Sequence, residues 1–437
     1  MESVWRDSVQ LPSFPMLEEK ISTEVLIIGG GMAGVLAAWL LKEAGRKVIL
    51  LEAAELASGQ TGKTTAKITS QHGLLYSKLQ RRFGSETAKE YYRLQQAALA
   101  RYRTMAQTVD CDLEDADAYL YTLQHVEKLK KECATLQQIG APAEFLSKLD
   151  LPFAVAGAIR LPGQSQFHPL KFVSGIAKDL NIREHSAVRA FDGEAYQTGA
   201  GSVRARKTIV TTHFPIWNKH GAYFLKLYQH RSYVLALENA GKVNGMYVDE
   251  SGKGLSLRMY GDLLLLGGGS HRTGQNGGGW KELERVAREY YPEATIRYRW
   301  ATQDCMTLDG MPYIGRYSRR TPDLLVATGF QKWGMTGSMV AAELLRDIVL
   351  GKGTAHNIFS PSRSMLHPQL AVNGAHAIWN LIRPSKPRCP HLGCALQWND
   401  QENTWDCPCL GSRFAPNGKR LDGPATGDRK ATRSPHV

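Results

Sequence analysis

The chain has 437 residues, 43% of them hydrophobic and 22% charged, and a formal net charge of +13 at pH 7. That balance suits two or three folded domains and excludes a wholly disordered chain. The charge favours anionic ligands, yet Lys and Arg are scattered, with only short clusters such as Lys128 to Lys131 and Arg316 to Arg320, so no nucleic-acid partner is expected.

The opening stretch, MESVWRDSVQLPSFPMLEEK, has no basic segment followed by an apolar core. It is not a secretory signal, and a cytoplasmic location is expected. Val25 to Ile28 is an apolar run rich in β-branched residues, as expected of a buried parallel strand, and it stops at three glycines. Gly29, Gly31 and Gly34 fit G-x-G-x-x-G, Met32 to Lys42 has a helical pattern, and Val48 to Leu51 supplies a second strand ending in Glu52. In this βαβ unit Gly29 allows the tight turn, Gly31 lets the backbone approach a pyrophosphate and Gly34 lets helix and strand pack closely. The helix opens at Met32 and Ala33 with its N-terminus toward phosphate charge, and Glu52 is placed for ribose hydroxyls. A dinucleotide cofactor is expected. The apolar window Val25 to Leu41 is spent on this unit, so no membrane span is expected.

Residues Ala57 to Thr64 match a loose P-loop with Ala for its first glycine. A phosphate-cradling P-loop leaves a strand directly, whereas here the strand ended at Leu51, so a nucleoside triphosphatase is not expected. Tyr76 to Ile139 reads as an almost wholly helical insertion covering the sheet, with Tyr91, Tyr92 and Tyr102 as packing residues. Short β-type segments follow at Ala158 to Leu161, Ser186 to Phe191, Val203 to Thr212 and Ser232 to Glu238, and Lys207 to Thr212 resumes the first domain. From about 232 to 300, strands alternate with Gly-rich turns, as in an antiparallel cap over a substrate; His271 and Arg272 read as solvated turn residues. Leu324 to Ala327 is one more buried strand. Gly329, Gly334 and Gly337 make a second glycine-rich turn, and Thr336 or Ser338 can cap a helix running to about Leu350. Two helix N-termini after two parallel strands can hold the two ends of one long anionic cofactor.

Residues 24 to 351 resemble flavoproteins of the glycine/D-amino-acid oxidase superfamily. The resemblance rests on Gly29, Gly31, Gly34, Glu52, the GKTTAK segment, Asp309-Gly310-x-Pro312-x-x-Gly315 and the Gly329 to Gly337 turn, in that order. It implies an α/β, Rossmann-like FAD-binding domain with an antiparallel β cap, and hydride transfer from a substrate C–H bond to FAD. The implied cofactor contacts are Gly29, Gly31, Met32, Ala33, Gly34 and Glu52 for the ADP half. Thr64, Thr65, Ala66, Lys67, Val188, Thr211, Gly329, Trp333, Gly334, Met335 and Thr336 complete the set, the flavin ring lying between Thr64 to Lys67 and Trp333 to Thr336. Oxidases of this superfamily commonly carry Trp-x-Gly-x-Arg-Pro before the Asp-Gly-x-Pro motif, the arginine holding a substrate carboxylate. Here the stretch is Trp300-Ala301-Thr302-Gln303-Asp304, with no such arginine.

Of seven cysteines, Cys111, Cys133 and Cys305 are isolated, while Cys389, Cys394, Cys407 and Cys409 crowd together, which in a cytosolic protein favours metal ligation over structural disulfides. RCPHLGC at 388 to 394 and CPCLGSRF at 407 to 414 resemble the Rieske iron–sulfur signature, so a small all-β domain is implied after a turn-rich linker at 352 to 386. The resemblance gives Cys389 and Cys407 to one iron, His391 to the other, and Cys394 and Cys409 to a disulfide. The second imidazole place holds Leu410, which has no lone pair, and the domain at 387 to 437 looks short on both sides. Three outcomes stay open: a [2Fe–2S] cluster with a substitute ligand, zinc on Cys389, His391, Cys407 and Cys409, or a remnant without metal. The expected partners are a small-molecule substrate and a redox partner protein. The competing reading is a flavin-binding redox sensor or electron-transfer module with no substrate of its own.

Overall fold

The computed structural model describes residues 2–252, 254–352, 358–384 and 387–429. Its first sheet grows from the apolar runs. Strand Lys20–Ile28 pairs in parallel with Val48–Leu51 on one side and Ser202–Val210 on the other. Thr321–Thr328 extends the sheet in parallel beyond Ser202–Val210, and Ile182–Arg183 beyond Val48–Leu51. A parallel sheet must be covered on its faces. Helices Met32–Glu43 and Gly334–Val349 pack against each other and carry buried small residues, among them Ala37, Ala38, Ala341 and Ala342, that permit close approach.

The second, mixed sheet has eight strands and is wider than the expected cap. Its order is Thr295–Thr307, Leu227–Glu238, Leu263–Arg272, Ser256–Tyr260, Met246–Asp249, Ala118–Thr122, Gly157–Leu161 and Glu144–Leu146. Ala118–Thr122 corrects the almost wholly helical reading of residues 76 to 139. Helices Tyr76–Phe83, Ser85–Ala106 and Val126–Gln138 are present, but the Ala-Tyr-Leu-Tyr-Thr run between them is a strand parallel to Met246–Asp249. Its aromatic and β-branched residues favour a pleated surface, a short signal swamped by the helical periods on both sides. Tyr91 and Tyr102 are buried packing residues, as read.

Residues 352 to 386, read as a turn-rich linker, contain the helix Pro368–Ile382. Pro368 sits at its first turn, and the His367 ring accepts from the Gln369 N–H at 3.1 Å, so the start is both preset and capped. Beyond it stands a four-stranded antiparallel sheet of very short strands, Gln397–Asn399, Thr404–Asp406, Arg413–Phe414 and Arg420–Asp422. Residues 430 to 437, at the end of the domain that reads as short on both sides, lie outside the described residues.

This C-terminal unit is fastened to the cap. Glu402 receives Arg231 (Nε–Oε1 2.9 Å) and Arg413 (Nη2–Oε2 2.7 Å), while Asp406 receives Arg413 at 3.1 Å. Burial pushes the Glu402 carboxyl up, but the guanidinium groups of Arg231 and Arg413 outweigh it and hold it at about 2. Arg272 donates to the carbonyls of Pro408 and Cys409, and Gln303 to that of Gly411, so the loop between Cys407 and Ser412 is held from the cap side.

Candidate active site

The glycine turn has the tolerances of a dinucleotide cradle. A Cβ on Gly34 would stand 1.9 Å from the Gly29 carbonyl oxygen, and Gly29 has φ +114° with its missing Cβ 2.8 Å from the Thr211 carbonyl. Thr211 locks the same turn by donating its hydroxyl to the carbonyls of Ile28 and Gly29 at 3.1 and 3.0 Å. No side chain of the preceding residue caps helix Met32–Glu43. The Met32 N–H donates instead to the Thr61 hydroxyl at 2.9 Å, a place that a phosphate oxygen can take. Glu52 lies across the mouth of the turn, accepting from the N–H groups of Gly30 at 2.6 Å and Ala54 at 2.9 Å. These residues fit a bound dinucleotide. Val188 is half-buried against the core that holds the two parallel strands.

The segment expected to meet the other end of the cofactor follows a 3-10 turn at Gln60–Lys63. Thr64 is fixed at its carbonyl by the Trp5 indole N–H at 2.7 Å, and its hydroxyl accepts from the Ala66 N–H at 2.9 Å. Ala66 takes a left-handed conformation, φ +55°. Lys67 is buried, and its ammonium meets only hydroxyls among the described residues, Ser256 at 2.5 Å and Thr65 at 3.3 Å. Burial and the nearby Arg258 guanidinium push it down to about 7.

The late glycine turn comes to the same place. Gly329 has φ +73°, and a Cβ there would stand 2.3 Å from a Thr307 methyl. Trp333 stacks on His72 with ring centroids 4.8 Å apart. The expectation that Thr336 or Ser338 caps the helix fails: Trp333 is the cap residue without a side-chain bond, Ser338 is buried, and Thr336 donates to the Thr69 carbonyl at 3.1 Å. Met335 is tied by its carbonyl to the Tyr102 hydroxyl at 2.9 Å. Lys67, Thr69, Gln71 and Trp333 therefore line one small cavity whose opposite wall is Tyr119, Leu120, Met246 and Val248 of the cap sheet.

Three residues of this site carried no motif. Gln71 is buried, and neither end of its amide is bonded among the described residues. His72 is held between the Tyr91 hydroxyl and the Thr69 carbonyl, 2.7 Å from each, and burial pushes it down to about 3, so it is neutral. Arg258 is fully buried, with its guanidinium 5.2 Å from the Trp5 ring centre. The available signal was an arginine alternating with apolar residues in Ser256–Tyr260. His271 and Arg272, read as solvated, are buried: His271 meets the Tyr233 hydroxyl at 3.1 Å, and Arg272 faces the C-terminal unit, whose approach no local pattern announces. Asp309 of the Asp-Gly-x-Pro motif pairs with Arg363 at 2.6 Å; burial raises its carboxyl, but the Arg363 bond outweighs this and holds it below the usual range.

In the C-terminal loops, Cys394 and Cys409 form a disulfide with Cα atoms 6.7 Å apart. Cys389 and Cys407 are buried free thiols outside this disulfide. The His391 ring is 3.1 Å from the Asn218 side-chain oxygen, and Leu410 is buried in the apolar cluster shared with the first sheet.

The fold and the cradle define an FAD-dependent oxidoreductase, and the family model described as "FAD dependent oxidoreductase" matches residues 24–348, so the chain belongs to that family. It is 34% identical over 488 aligned positions to the "Putative Rieske 2Fe-2S iron-sulfur protein YhfW" of Bacillus subtilis (strain 168), covering 97% of this chain and 96% of that one. Toward the C-terminal motifs it is similar to a cytochrome b6-f complex iron-sulfur subunit of Prochlorococcus marinus, 36% identical over 98 residues, 21% of this chain and 54% of that one. The fold matches glycine oxidase from Geobacillus kaustophilus with a TM-score of 0.66 at 20% identity, covering 79% of this chain and 99% of that one. No helix among the described residues is long and apolar enough to cross a membrane.

Proposed function

We propose that the chain oxidises a small organic substrate, an amine or amino-acid-like molecule, in the cytoplasm, with FAD held by the residues named above from the glycine turn to Thr336. The observation that carries this reading is the cavity in which Lys67, Thr69, Gln71 and Trp333 meet the cap sheet. FAD, when bound, supplies the acceptor for a hydride leaving a substrate C–H bond. The chain's own part is to orient that substrate. Gln71 offers a buried donor and acceptor with no partner among the described residues, and a buried polar group is stabilised by whatever satisfies it. Lys67, whose amine titrates at about 7, is bonded to hydroxyls and, among the described residues, to no carboxylate, so it is free to donate a hydrogen bond to a substrate oxygen. Tyr119, Leu120, Met246 and Val248 bound the cavity on the cap side with mostly apolar surface. Anaerobic mixing with a panel of amines and amino acids tests the reading: one of them should bleach the yellow flavin band, and a panel without effect would favour the redox-module alternative.

Glu52→Ala should weaken FAD binding by about 1–3 kcal/mol through lost charge-assisted hydrogen bonds. Titration of the flavin-free protein with FAD, followed by fluorescence quenching, measures this.

The C-terminal unit does not fit a complete Rieske centre. Leu410 offers no lone pair in place of an imidazole, and Cys409 is engaged with Cys394, which also removes it from the zinc set of Cys389, His391, Cys407 and Cys409. We infer that the purified protein carries FAD but much less than one [2Fe–2S] cluster per chain. Leu410→His alone should restore little, because the supporting sheet consists of strands of two or three residues. Iron, zinc and acid-labile sulfide analysis of both proteins decides this; near-stoichiometric iron and sulfide in the unmodified chain would refute it.

A further inference from the structure

Helix Pro368–Ile382 is turned inside out for a helix on a protein surface. Its inner side is polar. The Asn373 side-chain oxygen accepts from Arg272 at 2.8 Å, the Asn380 carbonyl accepts from the Ala395 N–H at 2.8 Å, and His376 meets the Gln275 amide at 3.4 Å. Its outer side is apolar: Ile378, Trp379 and Ile382 are 62%, 62% and 67% exposed, joined by Val372 and Leu381, while Leu366 just before the helix is 84% exposed. A surface helix normally buries its apolar stripe, and an apolar patch left outside marks an interaction site.

The segment that carries the patch has charges of one sign in its sequence. From Ile348 to Asn399 the sequence has no Asp or Glu but has Lys352, Arg363, Arg383, Lys386 and Arg388. Arg363 is neutralised by Asp309, whereas Arg383 is exposed at the end of the helix. At the other end Arg82 reaches the Leu366 carbonyl at 3.0 Å, bringing another cation beside the apolar stripe. A second copy of this chain would bring the same cations face to face, in a molecule already carrying +13.

We propose that this helix docks the protein onto an anionic phospholipid bilayer surface. Ile378, Trp379 and Ile382 enter the boundary between headgroups and acyl chains, and Arg383 and Arg82 lie against the lipid phosphates. Apolar insertion combined with basic flanks is the physical basis of interfacial helix binding, in which a helix lies on the bilayer without crossing it.

The test is co-sedimentation of the full-length, FAD-loaded chain with vesicles of equimolar phosphatidylglycerol and phosphatidylcholine, against vesicles of phosphatidylcholine alone. The expected result is binding to the anionic vesicles at least about tenfold stronger than to the neutral ones, weakening as salt is raised. The combined variant Ile378→Ser, Trp379→Ser, Ile382→Ser should lose about tenfold or more with its flavin spectrum unchanged. As a second probe that removes no apolar contact, Arg383→Glu should weaken binding to anionic vesicles only. No binding of the unmodified chain to anionic vesicles overturns the proposal, as does equal binding by the triple variant. A concentration-dependent dimer abolished by the triple variant, with no vesicle binding, also overturns it and assigns the face to self-association.

Discussion

Glu402→Ala should be the most destabilising single change in the C-terminal unit, costing about 3–5 kcal/mol, because it leaves the buried guanidinium groups of Arg231 and Arg413 facing each other without their shared carboxylate. It also removes the bond from the Tyr233 hydroxyl to Oε1, which spans the same contact at 3.1 Å. Unfolding in guanidinium chloride, followed separately by tryptophan emission and by flavin release, should show an early transition for the C-terminal unit. A midpoint equal to that of the unmodified protein would refute the assignment. The pH dependence has a definite sign. The carboxyl sits at about 2 when folded and near the ordinary glutamate value of about 4.3 when unfolded, so its contribution is complete above that value. It is lost as the pH falls from about 4.3 toward 2. The unmodified protein should therefore lose its excess stability over Glu402→Gln in that interval and keep it at neutral pH.

Gly34→Val should abolish FAD binding and cost more than about 4 kcal/mol of stability. The added Cβ would lie 1.9 Å from the Gly29 carbonyl oxygen and 2.8 Å from the Thr211 hydroxyl, and neither can retreat: one is backbone, and the other holds the turn. The control is Gly45→Ala, where nothing lies within 4 Å and only the left-handed backbone, φ +74°, resists a side chain. That change should cost about 1 kcal/mol and leave the flavin content unaltered. Flavin absorbance per chain after purification compares the two, and a yellow Gly34→Val protein would remove the glycine turn from the cofactor site.

The parts of the molecule legible in the sequence are those whose reason is local. Val25 to Ile28, the glycines after them and the acid at Glu52 all act within one βαβ unit, so spacing alone reveals them. The same holds for Leu324 to Ala327 and the turn that follows. Gln71, Arg258, His271 and Arg272 were not legible as site or interface residues, because what buries each lies far away in the chain; the loop opposite Arg272 is more than 130 residues downstream. The helix Pro368–Ile382 is hidden in the sequence for the opposite reason. Its apolar residues follow a helical period but face outward, and a pattern read as core-seeking has no core to find there.

Gln60 joins two events that look separate. It lies in the 3-10 turn that leads into Thr64 to Lys67, and its amide nitrogen donates to Asp422 of the last short strand at 3.0 Å. Its oxygen accepts from the Gln303 N–H at 2.7 Å and the Thr302 hydroxyl at 2.9 Å. One side chain thus ties together the turn before Thr64 to Lys67, the cap and the C-terminal unit. Linkage is reciprocal: if FAD gains free energy from an ordered loop at Gln60, the same free energy tightens the seating of residues 387 to 429. A chain that has lost its flavin should therefore expose its C-terminal unit to proteases sooner than its cap, and a chain trimmed after residue 352 should release FAD faster than the intact protein.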